Sequence, residues 1–227
     1  MTPQSFTSDL LTGLGAQCDA ANAATMHAYQ RKQFAFAGVK TPARRQIATP
    51  LIRAARQSFD EADYVSCAMR LWAEPWRECQ YVAVDLLCDH ARHFGPDMLA
   101  VLDTLIGSKS WWDTNDALAS NVLGPLLRHH PQLLADIDDW AAGERLWHAR
   151  CAILHQLRYG AQTDSARLFG YCRQQAGHPD FFMQKAIGWA LRQYCRHDAE
   201  AVTAFVAGMG SALSSLSRRE ALRHQPD

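Results

Sequence analysis

The sequence lacks a net charge, a long hydrophobic run and a signal peptide pattern, and each absence argues against a class of protein. Its 227 residues carry 23 basic and 23 acidic side chains, so no overall positive field attracts nucleic acid, and any basic face has to be local and balanced by acids elsewhere. No run of about eighteen apolar residues exists, and we expect no membrane span. Residues 1–19 lack a basic stretch followed by an apolar one, so we expect a cytoplasmic protein.

Paired cysteines and the common catalytic motifs are also missing. The seven cysteines are odd in number and include no Cys-x-x-Cys pair, a pattern typical of buried thiols in a reducing compartment. There is no phosphate-binding glycine loop, no Gly-x-Ser-x-Gly elbow and no His-Glu-x-x-His helix. Cys88, His90 and His93 resemble a metal cluster, but histidines just before a Gly-Pro pair more often cap the end of a helix. We expect neither a metal nor a cofactor.

Apolar residues recur at helical spacing along nearly the whole chain. Such patterns cover residues 71–87, 146–157 and 181–191, and no segment alternates apolar and polar residues as a strand does. Glycines and prolines lie between the patterns, for example at Gly124-Pro125. The sequence therefore predicts an all-α fold.

A weak internal repeat gives this fold more detail. Small residues occur at comparable places in successive apolar helices, at Ala83, Ala119, Ala152 and Ala186, with gaps of 36, 33 and 34 residues. Helix pairs that repeat at this spacing predict an α-solenoid, in which each pair buries one face against its neighbours. We expect a single repeat domain over residues 1–227, with one curved surface where distant residues can meet.

Two helix starts can be predicted from short motifs. Ser110, followed three residues later by Asp113, is a capping-box pattern and predicts a helix that begins near Trp111. Thr41 is predicted to cap a second helix with Pro42 in its first turn, so that free amide groups there suit a phosphate.

On the helix after Ser110, Trp112 and Asp116 lie four residues apart and share one face. Trp111, Leu118 and Val122 form another stripe and better explain the buried face. A carboxylate held beside an aromatic plane can stabilise a cation, which suits bond breaking at a sugar carbon. The alternatives are ordinary core packing for Trp112 and an ion pair or a partnered buried acid for Asp116.

Several longer motifs occur in a fixed order along the chain. They are residues 36–42, 71–72 with 76–78, 110–114 with 116, 150–154 with 156–159, 181–192 and 216–222. Through these motifs nearly the whole sequence resembles the AlkD-like family of DNA alkylation repair glycosylases. The resemblance implies an α-solenoid of HEAT-like helical repeats with a concave DNA-binding surface.

The resemblance also implies a reaction. Its expected substrates are purines alkylated at N3 or N7 in duplex DNA, such as 3-methyladenine and 7-methylguanine, whose positive charge lets the base leave without protonation. The sugar left behind is oxocarbenium-like, as in other glycosidic cleavages. We expect hydrolysis by water without flipping of the base into a pocket. No motif supports a Schiff-base lysine, so strand cleavage is not predicted.

The same resemblance assigns roles to individual residues. Asp116 matches the catalytic aspartate, and Trp112 and Trp189 match two tryptophans that flank the damaged nucleotide. Tyr29 matches a tyrosine near the same site, and Arg150 and Arg158 match positions that grip the DNA backbone. The other expected DNA-binding residues are Thr41 and Arg45 at a helix N-terminus, and Lys185 and Arg192 on the helix of Trp189.

Some positions depart from the family pattern, and other functions remain open. Asn115 lies where an aliphatic residue is expected, and His148 and Ala149 replace a more basic stretch before Arg150. One alternative is a non-catalytic HEAT-repeat binder of distorted or branched DNA. Another is a protein-binding scaffold without a nucleic-acid role. We expect a monomer whose partner is duplex DNA that contains alkylated purines.

Overall fold

The computed structural model describes residues 1–223, and the all-α prediction is confirmed over this range. The described residues form fourteen α-helices and no β-strand, with one isolated bridge between Ala35 and Trp76. None of these helices is both long enough and apolar enough to span a bilayer. The chain divides into two compact units, Met1–Phe94 and Gly95–Asp227. The single domain expected over residues 1–227 stays a prediction, and its last four residues lie outside the described range.

The first unit contains five helices. They are α1 (Pro3–Ala16), α2 (Ala20–Tyr29), α3 (Thr41–Arg56), α4 (Glu61–Ala73) and α5 (Arg77–His90). Helix α1 packs against α3 and α4, and α4 packs against α5. Their apolar faces meet in a core that includes Leu10, Leu71 and Leu86, which are fully buried.

A buried carboxylate fixes the loop that precedes α3. Glu78 accepts hydrogen bonds from the backbone amides of Ala37, Gly38 and Val39 at 2.9–3.1 Å. Gly38 has a φ of +88°, and a Cβ atom there would lie 2.0 Å from the carbonyl oxygen of Asp19. Only glycine fits this close approach, so Gly38 and Glu78 together determine where α3 begins.

The second unit contains nine helices. They are α6 (Met98–Gly107), α7 (Trp112–Leu118), α8 (Gly124–His129), α9 (Leu134–Ala142), α10 (Leu146–Leu154), α11 (Ser165–Gln174), α12 (Phe181–Cys195), α13 (Ala199–Met209) and α14 (Ser215–Ala221). Helix α10 lies at the centre, in contact with α6, α7, α9, α11 and α12. All of its residues from His148 to Leu154 are buried, as expected of a central helix.

The predicted capping box at Ser110 is wrong. Helix α7 begins at Trp112, its N-cap is Trp111, and no side chain caps it. The Ser110 hydroxyl instead donates a 2.6 Å hydrogen bond backwards, to the carbonyl oxygen of Ile106 in the last turn of α6. A carbonyl at a helix end has no partner within its own helix, and a nearby serine can supply one.

The predicted N-cap of α3 is wrong by one residue, whereas Pro42 lies in the first turn as expected. Lys40 is the N-cap, with an extended backbone, and its carbonyl oxygen accepts the first helical hydrogen bond from the Arg44 amide at 2.9 Å. Thr41 is the first helical residue and makes no capping hydrogen bond.

Candidate functional site

A cleft of about 450 Å³ lies within the second unit. Helix α7 and the turn that follows it form one wall, and α12 together with the segment after α10 forms the other. Four of the residues singled out from the sequence line it, namely Trp112, Asp116, Arg158 and Trp189. The structure thus brings together side chains that lie more than seventy positions apart in the sequence.

One face of helix α7 packs in the core and another face lines the cleft, as its sequence pattern predicts. Leu118 is fully buried in the core, and Val122, just beyond the helix, continues the same stripe. Trp112 and Asp116 lie on the other face, where both are partly exposed to the cleft. The predicted stripe also included Trp111, which is half-buried and packs against Trp147 and Phe182.

A five-residue π-helix, Ala119–Leu123, follows α7 and shapes the cleft wall. The amide of Gly124 donates to the carbonyl of Ala119, five residues back, and Pro125 has no amide hydrogen for the carbonyl of Asn121. The wider turn directs Ser120 and Asn121 to the cleft. Sequence reasoning missed this turn, although Pro125 was its visible signal.

Arg150 of α10 holds the Asp116 carboxylate in a two-pronged ion pair. The distances from Nε to Oδ1 and from Nη2 to Oδ2 are both 2.7 Å, and Nη1 donates to the carbonyl oxygen of Phe182. The side chains of Arg150 and Asp116 are only 5% and 15% exposed, so the pair is shielded from water. Burial raises the pKa of Asp116, while the hydrogen bonds and charge of Arg150 act in the opposite direction.

This geometry gives Arg150 a protein partner. The family resemblance implies that Arg150 grips the DNA backbone, and the structure places its guanidinium against Asp116 and Phe182. Arg158, by contrast, is exposed at the edge of the cleft.

Lys185 and Arg192 on α12 also have a protein partner, the Glu220 carboxylate on α14. Lys185 Nζ lies 3.0 Å from Oε1, and Arg192 Nη1 lies 3.0 Å from Oε2. The hydrogen bond from Lys185 and the charges of both cations lower the pKa of Glu220. Sequence analysis missed Glu220, although it lies within the segment that resembles the family's C-terminal helix.

The remaining residues proposed for DNA binding belong to the first unit. Tyr29 is the last residue of α2 and is 71% exposed. Thr41 and Arg45 are exposed in the first two turns of α3. Their expected contacts with DNA stay predictions.

Within residues 1–223, no group of three or more histidine, cysteine, aspartate or glutamate side chains is arranged to hold a metal ion. His90, part of the Cys88–His93 segment, stacks on the ring of Tyr64 with centroids 4.2 Å apart. Burial and the neighbouring His93 lower the pKa of His90. This lowered pKa favours the neutral form of the ring that packs on Tyr64.

Comparison with known proteins places these features in context. A family model described as DNA alkylation repair enzyme matches residues 10–225. The chain is similar to a solved structure described as a predicted DNA alkylation repair enzyme from Enterococcus faecalis, with a TM-score of 0.85 and 27% sequence identity, over 92% of this chain and 97% of that one. Among functionally curated proteins, no sequence is similar enough to count as a relative. The structural likeness supports the α-solenoid class.

Proposed function

The chain belongs to the family of DNA alkylation repair enzymes, and we propose that it is a monofunctional glycosylase for cationic N3- and N7-alkylated purines in duplex DNA. It acts in base excision repair, releases 3-methyladenine or 7-methylguanine and leaves an abasic site. The assignment of its helix pairs as HEAT-like repeats belongs to the same proposal.

The observation that carries this proposal is the largely buried, arginine-held carboxylate of Asp116 in a cleft lined by Trp112 and Trp189. When an alkylated purine leaves, positive charge develops on the sugar. A carboxylate that is already oriented and shielded from water stabilises such charge without having to reorganise first. Arg150 occupies both carboxylate oxygens from one side and so fixes the plane of the carboxylate.

The two tryptophans add a second source of stabilisation. The face of an indole ring is negative and attracts a nearby cation by about 0.5–2 kcal/mol. Trp112 and Trp189 line the cleft from α7 and α12, so a nucleotide bound there lies between them and close to Asp116. Following the family resemblance, we infer that the damaged base is not inserted into an enclosed pocket.

Water is the proposed nucleophile, oriented by the Asp116 carboxylate. Among the described residues that line the cleft there is no lysine, which supports hydrolysis over a Schiff-base route with strand cleavage. Arg158 is the proposed phosphate contact at the cleft, and Tyr29, Thr41 and Arg45 are proposed contacts in the first unit. We propose a cytoplasmic monomer that binds duplex DNA without a metal or cofactor.

Incubation with chemically methylated duplex DNA tests this function. With enzyme in excess, chromatography of the supernatant should detect free 7-methylguanine or 3-methyladenine, and strand breaks should form only after alkaline treatment. Release of no base, with duplex binding intact, would indicate a non-catalytic binder of distorted or branched DNA. No duplex affinity at any salt concentration would indicate a protein-binding scaffold.

A further inference from the structure

Helix α14 lies unusually close to α12 next to Trp189. A Cβ atom at Gly188 would be 2.5 Å from the Glu220 Cβ and 2.9 Å from the Ser217 carbonyl oxygen. Any residue larger than glycine would push the helices apart. The Ser217 hydroxyl also donates a 2.9 Å hydrogen bond to the carbonyl oxygen of Gln184. The backbone of α12 around Trp189 is therefore packed directly against α14.

The Glu220 carboxylate connects α14 to α12 on both sides of Trp189. Lys185, Trp189 and Arg192 are separated by four and three residues, so they lie along one stripe of α12. One oxygen of Glu220 pairs with Lys185 and the other with Arg192, each at 3.0 Å. Glu220 is only 7% exposed, and it spans the helical turns that carry Trp189.

The Trp189 indole has no comparable anchor of its own. Across residues 1–223, no hydrogen bond, ring contact or cation–π contact involves this side chain, which is half-buried and lines the cleft. Its position in the cleft therefore depends on where the backbone of α12 lies. Helices α10, α11 and α13 also pack on α12, but α14 makes the most extensive contact with it and the close approach next to Trp189.

We propose that Glu220 is a positioning residue for Trp189, and that Lys185 and Arg192 serve as its partners in this role in preference to contacting DNA phosphates. The consequence for catalysis rests on the proposed glycosylase function. The structural coupling between Glu220 and Trp189 is independent of that function, and it can be measured without an activity assay.

Fluorine NMR of protein labelled with fluorotryptophan measures this coupling directly. The Trp189→Phe variant assigns the Trp189 signal, and Trp72→Phe assigns a reference signal from the first unit. In Glu220→Gln, the Trp189 signal should shift or broaden while the Trp72 signal stays unchanged. An unchanged Trp189 signal in a folded Glu220→Gln protein would overturn the proposal.

Two further variants separate positioning from simple loss of stability. Ser217→Ala removes a hydrogen bond between the same helices and keeps the ion pairs, so it should lower the melting temperature and move the Trp189 signal less than Glu220→Gln does. The double variant Lys185→Met, Arg192→Met removes both partners of Glu220. It should reproduce the Trp189 shift, and it provides the test if Glu220→Gln does not fold.

Kinetics then test the catalytic consequence. Glu220→Gln should slow single-turnover base release about tenfold, since a misplacement of about 1 Å can cost about a hundredfold and a smaller displacement costs less. Duplex affinity should stay the same, and Glu220→Gln should cause no further loss of base release rate in a Trp189→Phe background.

If Lys185 and Arg192 are phosphate contacts, freeing them from Glu220 would tighten duplex binding and steepen its salt dependence, which would overturn the proposal. Absence of base release by the unmodified protein would contradict the proposed function and leave the NMR result valid.

Discussion

Arg150 and Asp116 form a buried ion pair in which two nitrogens of one guanidinium contact both oxygens of one carboxylate at 2.7 Å. The two residues come from α10 and α7, so the packing of these helices sets the orientation of the carboxylate in the cleft. This relationship links the stability of the second unit to its proposed chemistry.

Removing Arg150 should therefore destabilise the protein strongly. In Arg150→Met the Asp116 charge is left buried without a partner, and we expect a loss of about 3 kcal/mol in the free energy of unfolding. The control is Arg145→Met, which breaks an exposed ion pair with Asp103 and should cost less than about 1 kcal/mol. Urea unfolding measures both values, and similar losses in the two variants would contradict the buried-pair interpretation.

The rate of base release should depend on the ionisation of Asp116. The carboxylate is the active form, so the rate is constant above the pKa of Asp116 and falls as the pH decreases through it. Because burial raises this pKa above the ordinary value of 3.8, the fall should begin at a higher pH than for an exposed aspartate. Single-turnover rates, corrected for spontaneous base loss, measure the profile. The same acid limb in Asp116→Asn would show that another group is titrating.

The sequence predicts the local part of this site well. Trp112 and Asp116 share a face because four residues make about one helical turn, and no tertiary information is needed to see it. The ion pair of Asp116 could not be predicted in the same way, since Arg150 lies 34 positions away and meets it only through the packing of α7 on α10.

Other sequence interpretations failed where a polar side chain has two alternative partners and the sequence does not show which one it contacts. The Ser110 hydroxyl can cap the N-terminus of α7 or bond a carbonyl oxygen at the C-terminus of α6. The sequence motif alone favours the cap on α7. In the structure the hydroxyl bonds the carbonyl oxygen of Ile106 at the end of α6. Lys185 and Arg192 look like free cations on a helix, whereas their pairing with Glu220 depends on the close approach of α14 at Gly188.

Gly124 should be essential for the packing of the second unit. A Cβ atom at this position would lie 2.5 Å from the carbonyl oxygen of His155, so Gly124→Ala should cost about 1–3 kcal/mol of stability through overpacking. Gly170→Ala is the matched control, because an added Cβ in helix α11 meets no atom of residues 1–223 within 4 Å, apart from its chain neighbours and the nearby backbone of its own helix. It should be neutral or stabilising by up to about 1 kcal/mol. Thermal unfolding compares the variants, and an equal loss in both would contradict this account.

His155 should make the protein less stable in mild acid. Its ring is fully buried, Nδ1 lies 2.6 Å from the Ala152 carbonyl oxygen, and burial lowers the pKa of His155 from 6.5 to about 4. The unfolded chain therefore takes up a proton below pH 6.5, while the folded protein does so only near pH 4. This contribution to stability is complete above pH 6.5 and disappears as the pH falls towards 4.

The size of that effect can be measured by urea unfolding at several pH values. Between pH 6.5 and 5, His155 should contribute a loss of about 1.5 kcal/mol in the free energy of unfolding. His155→Gln cannot take up the proton, so its stability should depend less on pH by this amount. Identical pH dependence in the two proteins would exclude His155 as the titrating group.

The most direct test of the proposed function is single-turnover release of 7-methylguanine from duplex DNA by three proteins: unmodified, Asp116→Asn and Asp139→Asn. Asp139 is exposed on α9, so the two variants make the same change in net charge and isolate the role of the Asp116 carboxylate. We expect release to fall by at least about tenfold in Asp116→Asn, since removing one group that stabilises transition-state charge has effects of that size or larger. Duplex binding by that variant should survive, and Asp139→Asn should match the unmodified protein. Equal release by the Asp116→Asn and unmodified proteins would contradict the assignment of Asp116 as the catalytic residue.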